Sequence, residues 1–365
     1  IVGIEVPREE NATADRRSLD LFDVMDKASA FYYEQLKHDG RAQAYLKHRN
    51  VSGETARDYR IGYAPDSWDA ILRQLGDGEH KRQQLVDTGL TMRRDDGREY
   101  DRFRDRVIFP IRDARGRTVG FGGRVLDKGE PKYLNSPETV LFHKGKELYG
   151  LFEARRALRQ IDRLLVVEGY MDVVALAEHG VRYAVATLGT ATTPEHLKRL
   201  FRVCPEVIFC FDGDQAGRKA AWRALENALG ELREGRQIRF LFLPDGEDPD
   251  SMIGSEGREA FELRLSGATP LSEFLLQTLC TQTDLDSVDG RARLAELARP
   301  LLGRVPEGIY KDLLVDHLAT AVGMPGERLT THLAVAKDSP RRRTAHPSAT
   351  RPARSSLLRR AITLL

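Results

Sequence analysis

Three short acidic clusters, each following an apolar run, constrain the fold of this chain more than any other feature. The clusters occupy residues 168–172, 212–214 and 248–250. The runs that precede them, 164–167, 207–211 and 238–242, are rich in Val, Ile, Leu and Phe with little alternation, which is typical of buried parallel strands. Because the carboxyl ends of parallel strands meet at one edge of a sheet, we expect the acidic side chains to share one crevice.

The acidic residues also predict the chemistry of that crevice. Grouped carboxylates repel one another and favour a hard cation such as Mg²⁺, with Mn²⁺ as a substitute. A cation held in this way points to phosphoryl or nucleotidyl transfer, or to phosphodiester cleavage. One Asp-x-Asp after a strand is usually a turn or a helix N-cap, whereas three acidic clusters in succession favour a shared metal site. The candidate ligands are Glu168, Asp172, Asp212, Asp214, Asp248 and Asp250.

Asp172 has two interpretations at this point. Four residues after Glu168, it falls in the first turn of a predicted helix. It is either a metal ligand or a negative charge that complements the positive end of the helix dipole. The sequence leaves both open.

Composition and simple motifs exclude several classes of protein. The formal charge is only +2, so attraction to phosphate has to come from local patches. The three cysteines form no Cys-x-x-Cys pair, which argues against a zinc site or a disulfide framework and suits a reducing cytosol. No apolar run approaches the ~18 residues of a membrane span, and the first residues do not form a signal peptide. No Walker A motif is present, so an ATP-driven helicase is not expected.

Changes of pattern along the chain predict a mixed α/β and α+β protein. Helical spacing over 18–50, followed by short β-like runs over 98–133, predicts an amino-terminal α+β unit, residues 1–143. Alternating strands and helices predict a parallel-sheet domain over 144–265, and leucine-rich helices a bundle over 266–336. Residues 337–354, rich in Pro, Ser and Arg, are expected to be a flexible basic linker, and 355–365 an amphipathic helix.

The order of the acidic clusters resembles the TOPRIM domain of bacterial primases, topoisomerases and some nucleases. The surrounding motifs resemble DnaG-type primases: Tyr45-Leu-Lys-His-Arg49, Arg102-Phe-Arg104, Gly120-Phe-Gly-Gly-Arg124, Lys132-Tyr-Leu-Asn-Ser-Pro-Glu-Thr139 and Phe142-His-Lys-Gly145. The resemblance implies a TOPRIM catalytic core that makes short RNA primers on single-stranded DNA from NTPs. It marks Glu168, Asp212 and Asp214 as catalytic, and implies cytoplasmic work at the replication fork.

The same resemblance assigns roles upstream of the acidic clusters. It implies that seven residues contact nucleotides or template: Arg49, Arg102, Arg104, Arg124, Lys132, Asn135 and Lys144. The arginines at 102 and 104 are expected on one face of a strand, a suitable arrangement for a phosphate backbone. Taken singly, each cation is more often a solvated surface charge.

The ends of the chain and the rival functions complete the expectations. By the resemblance, the first residues follow a zinc-binding domain, and 355–365 open a helicase-binding domain that would contact the replicative helicase. The chain is expected to act as a monomer, without a membrane. A TOPRIM nuclease or a topoisomerase fragment would use the same acidic centre, and a non-catalytic nucleic-acid-binding module would not need it. The motifs over 132–150 favour a primase.

Overall fold

The amino-terminal part is built on a four-stranded antiparallel sheet, ordered β1-β4-β5-β6. The structure, a computed structural model, describes residues 9–127 and 129–335. The helices are α1 (Glu9–His38), α2 (Gly40–His48), α3 (Gly53–Asp58), α4 (Ala70–Leu75) and α5 (Glu79–Asp87). The strands are β1 (Gly62–Ala64), β2 (Thr91–Arg93), β3 (Glu99–Asp101), β4 (Arg106–Arg112), β5 (Thr118–Val125) and β6 (Tyr133–Asn135). β2 and β3 form a separate two-stranded sheet.

The helical pattern over 18–50 becomes two helices. Asp39 separates them in an extended conformation, and its side chain accepts a hydrogen bond from the Ala42 N–H, which caps the start of α2. α1 packs on β1 and β5, and buries Met25 and Tyr32. Short helix-capping side chains therefore decide where the chain turns.

The predicted βαβ series forms the second sheet. Its elements are α6 (Leu151–Ala157), β7 (Arg163–Val167), α7 (Tyr170–Glu178), β8 (Ala184–Ala186), α8 (Pro194–Leu200), β9 (Glu206–Phe211), α9 (Gln215–Ala228), β10 (Gln237–Phe242), α10 (Pro249–Ser266) and β11 (Thr269–Pro270). The strand order is β11-β10-β9-β7-β8, in which β10, β9, β7 and β8 are parallel and β11 is antiparallel. The predicted fold class is confirmed, since an α/β parallel sheet stands beside an α+β unit.

Four helices follow the parallel sheet: α11 (Leu271–Cys280), α12 (Val288–Leu302), α13 (Ile309–Val322) and α14 (Gly326–Val335). Leu275, Leu294 and Leu318 are buried among them and share a core with Phe240 of the sheet. None of the described helices combines the length and hydrophobicity that crossing a membrane would take. The linker and terminal helix predicted for 337–365 lie outside the described residues, as do residues 1–8.

One apolar core joins the amino-terminal unit to the parallel-sheet domain. Tyr63 and Phe109 of the antiparallel sheet belong to the same cluster as Tyr170 and Val173 of α7. The ring of Tyr170 stacks on Phe109 with centroids 5.4 Å apart. The division near residue 143 remains a prediction, and the buried contact across it fixes the two sheets against each other.

Candidate active site

Six carboxylates lie at the carboxyl edge of the parallel sheet, and we call them the acidic cluster. Glu168 directly follows β7, and Asp212 directly follows β9, its neighbour in the sheet. Asp172 lies in the first turn of α7. The remaining members begin the helices after β9 and β10: Asp214, Asp248 and Asp250. Adjacent strands therefore deliver side chains that are far apart in sequence to one crevice.

The carboxylates act on one another electrostatically. Partial burial, followed by the charges of Asp212 and Asp214, raises the pKa of Glu168. Burial and the charge of Asp248 raise the pKa of Asp172 to about 7, although the Gly169 N–H opposes the shift. Burial and the charge of Asp214 also raise the pKa of Asp212. Each upward shift means that the site disfavours a further negative charge and would gain from a cation.

Two arginines of the amino-terminal unit partly neutralise the cluster. Arg49, at the end of α2, places Nη1 3.1 Å from Oδ2 of Asp250. Burial raises the pKa of Asp250, while the charges of Arg49 and Arg124 oppose that rise. Arg124 donates from Nη1 to the Tyr133 hydroxyl at 2.6 Å and lies over the ring of Tyr45. These two arginines bring positive charge from the amino-terminal unit to the rim of the acidic cluster.

Three members of the acidic cluster also cap helices. The bonds run from the Gly169 N–H to Asp172 (2.9 Å), from the Gly217 N–H to Asp214 (2.7 Å) and from the Ser251 N–H to Asp248 (2.8 Å). The sequence left open whether Asp172 serves the start of its helix or the metal site. The structural role at the helix start is present, and Asp172 is also coupled electrostatically to the rest of the cluster.

The donor chemistry of the cluster fits a hard divalent cation. Carboxylate oxygens are the ligands that Mg²⁺ and Mn²⁺ take, and Mg²⁺ commonly keeps several waters and uses one or two carboxylates with substrate phosphates. Among the described residues, no three Asp, Glu, His or Cys side chains already surround one point at ligand distance. The carboxylates would have to reorient on binding, and those not held by a backbone N–H, such as Asp212 and Glu168, have the most freedom to do so.

The prediction that Arg102 and Arg104 share a strand face is wrong. Residues 102–105 connect β3 to β4 and are not in a strand. Arg102 donates from Nε and Nη2 to the Asn135 carbonyl, at 3.1 and 2.7 Å. Arg104 turns the other way, stacks over Trp68 and donates to the Asp101 carbonyl. The positive φ of Asp105, 46°, marks the turn that separates this connection from β4.

Asn135 links the two sheets beside the acidic cluster. Its Oδ1 accepts a hydrogen bond from the Tyr170 hydroxyl at 2.8 Å, and its Nδ2 donates to the Leu188 carbonyl at 2.9 Å. Tyr170 begins α7, two residues after Glu168. Gly122 of β5 makes room for the ring, because a Cβ there would lie 2.4 Å from Cζ of Tyr170. This contact sets the position of the α7 start relative to β6.

The two predicted lysines make contacts outside the acidic cluster. Lys132 precedes β6 with an exposed side chain, and its carbonyl accepts from the Val125 N–H. The Lys144 backbone N–H donates a hydrogen bond to Glu138, and the Lys144 carbonyl accepts one from Nε2 of the buried His196. In the described part of the chain neither lysine forms an ion pair with the acidic cluster.

Sequence reasoning missed an exposed aromatic surface on the amino-terminal unit. Trp68 is 57% exposed and packs edge-on against Tyr100, with centroids 5.8 Å apart. The guanidinium of Arg104 lies 4.1 Å from the Trp68 ring, and that of Arg94 lies 5.4 Å from it. We call these four residues the tryptophan surface. Only the motif containing Arg104 gave a signal in the sequence, since exposure of one tryptophan has no local pattern.

Comparison with known proteins agrees with this architecture. Three family models match in order: the N-terminal domain of the DNA primase catalytic core over 31–155, a Toprim-like domain over 165–253, and a DnaB-helicase binding domain of primase over 272–327. The third match lies on the helical bundle, whereas the sequence placed the start of such a domain at 355–365. The fold and the acidic cluster thus define a protein with a TOPRIM-type catalytic domain.

Individual relatives narrow that class. The chain is 52% identical to the DNA primase of Pseudomonas aeruginosa over 337 residues, which is 90% of this chain and 51% of that protein. It is 53% identical to the DNA primase of Escherichia coli strain K12, covering 83% of this chain and 53% of that one. The chain therefore spans about half the length of these curated relatives.

Solved structures give the same result. A DnaG primase catalytic domain bound to ssDNA is similar with a TM-score of 0.80 and 52% identity, covering 84% of this chain and 99% of that one. A DNA primase domain from Pseudomonas aeruginosa gives a TM-score of 0.82 and 52% identity, covering 85% and 98%. The chain belongs to the family of DnaG-type DNA primases.

Proposed function

We propose that this chain synthesises short RNA primers on single-stranded DNA by nucleotidyl transfer from NTPs. The acidic cluster at the carboxyl edge of the parallel sheet carries the proposal, because such a cluster suits nucleotidyl transfer and the family is that of DNA primases. A related catalytic domain binds ssDNA, which supports single-stranded DNA as the template. The replication fork in the cytoplasm is the corresponding place of work.

The reaction joins a 3′-hydroxyl oxygen to the α-phosphorus of an NTP and breaks the bond to pyrophosphate. Glu168 is the proposed general base that takes the hydroxyl proton, since its raised pKa brings it nearer to the pH of the reaction. Mg²⁺, with Mn²⁺ as a substitute, would supply charge stabilisation of the attacking hydroxyl and the leaving pyrophosphate when bound. Its proposed ligands are Asp212, Asp214 and Asp250, with Asp248, Asp172 and Glu168 beside them.

The basic residues divide into direct and supporting roles. Arg49 and Arg124 lie at the rim of the acidic cluster and are the proposed partners of the triphosphate. Lys132 and Lys144 are proposed to reach nucleotide or primer phosphates as point charges. Two N–H groups of Arg102 bind the Asn135 carbonyl, so its proposed role is to hold β6 in place.

The tryptophan surface is the proposed platform for the template strand. Exposed aromatic rings flanked by arginines bind single-stranded nucleic acid by base stacking and phosphate contact, and they do not require a particular base sequence. Arg104 therefore contributes through this surface and not through a shared strand face with Arg102. Trp68 lies outside the acidic cluster, which suits a template strand that is held there while its bases are copied at the cluster.

The proposed protein partner is the replicative helicase. The matching family model covers 272–327, where Ile309 and Leu313 of α13 are 64% and 62% exposed. They are four residues apart on one helix face, a spacing that suits docking against another helix. We propose that the chain works as a monomer in this contact.

Primer synthesis on single-stranded DNA tests the proposed function. The wild-type chain and Asp212→Asn are incubated with labelled NTPs and Mg²⁺ or Mn²⁺, and products are separated on a denaturing gel. We expect short RNAs that disappear in the variant. Metal-dependent cutting of the template with no RNA product would instead identify a TOPRIM nuclease, and unaltered RNA synthesis by Asp212→Asn would remove the acidic cluster from the mechanism.

A further inference from the structure

An arginine-lined cavity lies away from the acidic cluster, between the amino-terminal unit and the parallel-sheet domain. Its volume is about 580 Å³. Arginines line it from three places: Arg115 and Arg117 in the β4–β5 hairpin, Arg155 in α6, and Arg199 at the end of α8 with Arg202 in the turn after it. We call it the arginine cavity.

The cavity carries more positive charge than its own carboxylates neutralise. Asp113 accepts two hydrogen bonds from Arg117, at 2.8 and 2.6 Å, and Glu147 accepts one from Arg199 at 2.6 Å. The other three arginines are exposed, and their guanidinium groups make no hydrogen bond or ion pair in the described part of the chain: Arg115, Arg155 and Arg202. Guanidinium groups of this kind suit carboxylate or phosphate ligands.

Helix dipoles account for only part of this charge. Arg155 and Arg199 lie in the last turns of α6 and α8, where a cation complements the carbonyl end of a helix. Arg115 lies on a hairpin turn and has no helix end to complement. Stabilisation of helix ends therefore does not explain why Arg115 lies in the same cavity as Arg155 and Arg199.

The position of the cavity separates it from nucleotidyl transfer. α6 leads into the beginning of β7, and α8 leads into the beginning of β9, so the cavity lies toward the amino ends of the parallel strands. The acidic cluster lies at their carboxyl ends, a strand length of about 17–20 Å away. A group held by Arg155 is accordingly not the triphosphate that reacts at Asp212.

The lining favours a peptide over a nucleotide. The Arg117 guanidinium lies 3.6 Å from the centroid of the Phe22 ring, and the ring also packs against the apolar core, so it is a poor platform for a base. The rest of the apolar lining is aliphatic: Val119, Val140, Leu141, Leu151 and Val203. Val140 is 73% exposed at its edge. In addition, α6 and α8 present carbonyl ends, whereas phosphate sites commonly use the N–H groups of helix starts.

We propose that the arginine cavity binds an acidic segment of a partner protein, with carboxylates on Arg115, Arg155 and Arg202 and aliphatic side chains on the Val140 side. The segment would contact both the β4–β5 hairpin and α8, and so bridge the two units of the chain. This interaction is independent of primer synthesis, because none of these residues belongs to the acidic cluster or its rim.

Fluorescence anisotropy with a labelled, capped nine-residue peptide of alternating Asp and Leu tests the proposal. We expect saturable binding that weakens about tenfold or more in Arg155→Glu/Arg202→Glu, as losing two charge pairs would produce. Arg223→Glu, an exposed arginine of α9 outside the cavity, should bind as wild type does. Val140→Asp, and a peptide with Ser in place of Leu, should each weaken binding about fivefold.

Several results would overturn the proposal. They are a lack of saturable peptide binding, unchanged affinity in the double variant, and an equal loss in Arg223→Glu, which would show only general attraction. Tripolyphosphate or oligo-dT binding that depends on Arg155 and Arg202, without peptide binding, would assign the cavity to phosphate instead. Circular dichroism of every variant checks that the fold is retained, and unchanged primer synthesis in the double variant keeps this test separate from the acidic cluster.

Discussion

Arg49 and Asp250 form an ion pair that joins the end of α2 to the first turn of α10, with Nη1 3.1 Å from Oδ2. Within the described residues it is the one ion pair made by the acidic cluster. The two residues are 201 positions apart in the chain. The pair therefore connects the unit that carries the basic residues to the carboxylates that are proposed to hold the metal.

Removing Arg49 is expected to separate metal binding from catalysis. In Arg49→Ala, the uncompensated charge of Asp250 should tighten Mn²⁺ binding about threefold to fivefold, or about 1 kcal/mol. Primer synthesis should nevertheless fall about tenfold or more, because a cation for the triphosphate is lost. Mn²⁺ titration by electron paramagnetic resonance measures the first effect. Arg49→Lys should restore metal affinity, and weaker Mn²⁺ binding in Arg49→Ala would show that the arginine organises the ligands instead.

Neutralising Asp212 should cost activity and stabilise the fold. Burial and the charge of Asp214 raise the pKa of Asp212, so its ionised form opposes folding in the absence of metal. We expect Asp212→Asn to lose at least about 100-fold in primer synthesis and to gain about 1–2 °C in Tm in EDTA. Asp162→Asn, an exposed residue just before the other end of β7, is the control that should change neither. A lower Tm in Asp212→Asn would contradict the electrostatic account.

The stability of the metal-free protein should decrease as the pH rises from about 4 to about 7 and level off above that. Burial and the charge of Asp248 raise the pKa of Asp172 to about 7, well above its unfolded value near 3.9. The folded state thus holds its proton more tightly, so stability is fully present below about pH 4 and is lost as pH rises through about 7. Denaturant unfolding in EDTA from pH 5 to 8 measures this slope. Asp172→Asn keeps an acceptor for the Gly169 N–H and should flatten the pH dependence of the unfolding free energy. An unchanged slope would show that a group other than Asp172 takes up the proton.

The packing of Gly122 against Tyr170 should be sensitive to one methyl group. An added Cβ would lie 2.4 Å from Cζ of Tyr170, so Gly122→Ala should destabilise the protein by about 1–3 kcal/mol and displace the start of α7. Gly40→Ala meets nothing within 4 Å and serves as the control. Chemical denaturation compares the two. Equal stability of both variants would show that β5 and the Tyr170 ring can move apart to fit a methyl group at little energetic cost.

Trp68 should report template binding directly. The chain has two tryptophans, and Trp222 packs partly buried against Phe274. In a Trp222→Phe background, oligo-dT should quench Trp68 fluorescence through stacking. Arg104→Ala should weaken binding by about 1 kcal/mol, since the guanidinium flanks the ring. Binding without quenching would place the template on another surface.

The parallel sheet and its acidic edge could be predicted because their signals are local. The three apolar runs, 164–167, 207–211 and 238–242, became β7, β9 and β10, with boundaries within two residues. Gly213 lies in the turn after β9, where a Cβ would come within 2.1 Å of the Leu243 carbonyl. A buried strand and a tight turn each leave a pattern within a few residues, and a sequence displays such patterns directly.

The partners of the charged side chains were decided only by the tertiary structure. Arg102 and Arg104 have the spacing of one strand face, yet they lie in the irregular connection 102–105, where one reaches the Asn135 carbonyl and the other reaches Trp68. Likewise, nothing near Arg49 indicates Asp250. Apolar periodicity determines which segments are buried, because burial depends on one face of one element. Long polar side chains pair with whatever the packed elements bring within reach, and that depends on how two distant parts of the chain dock.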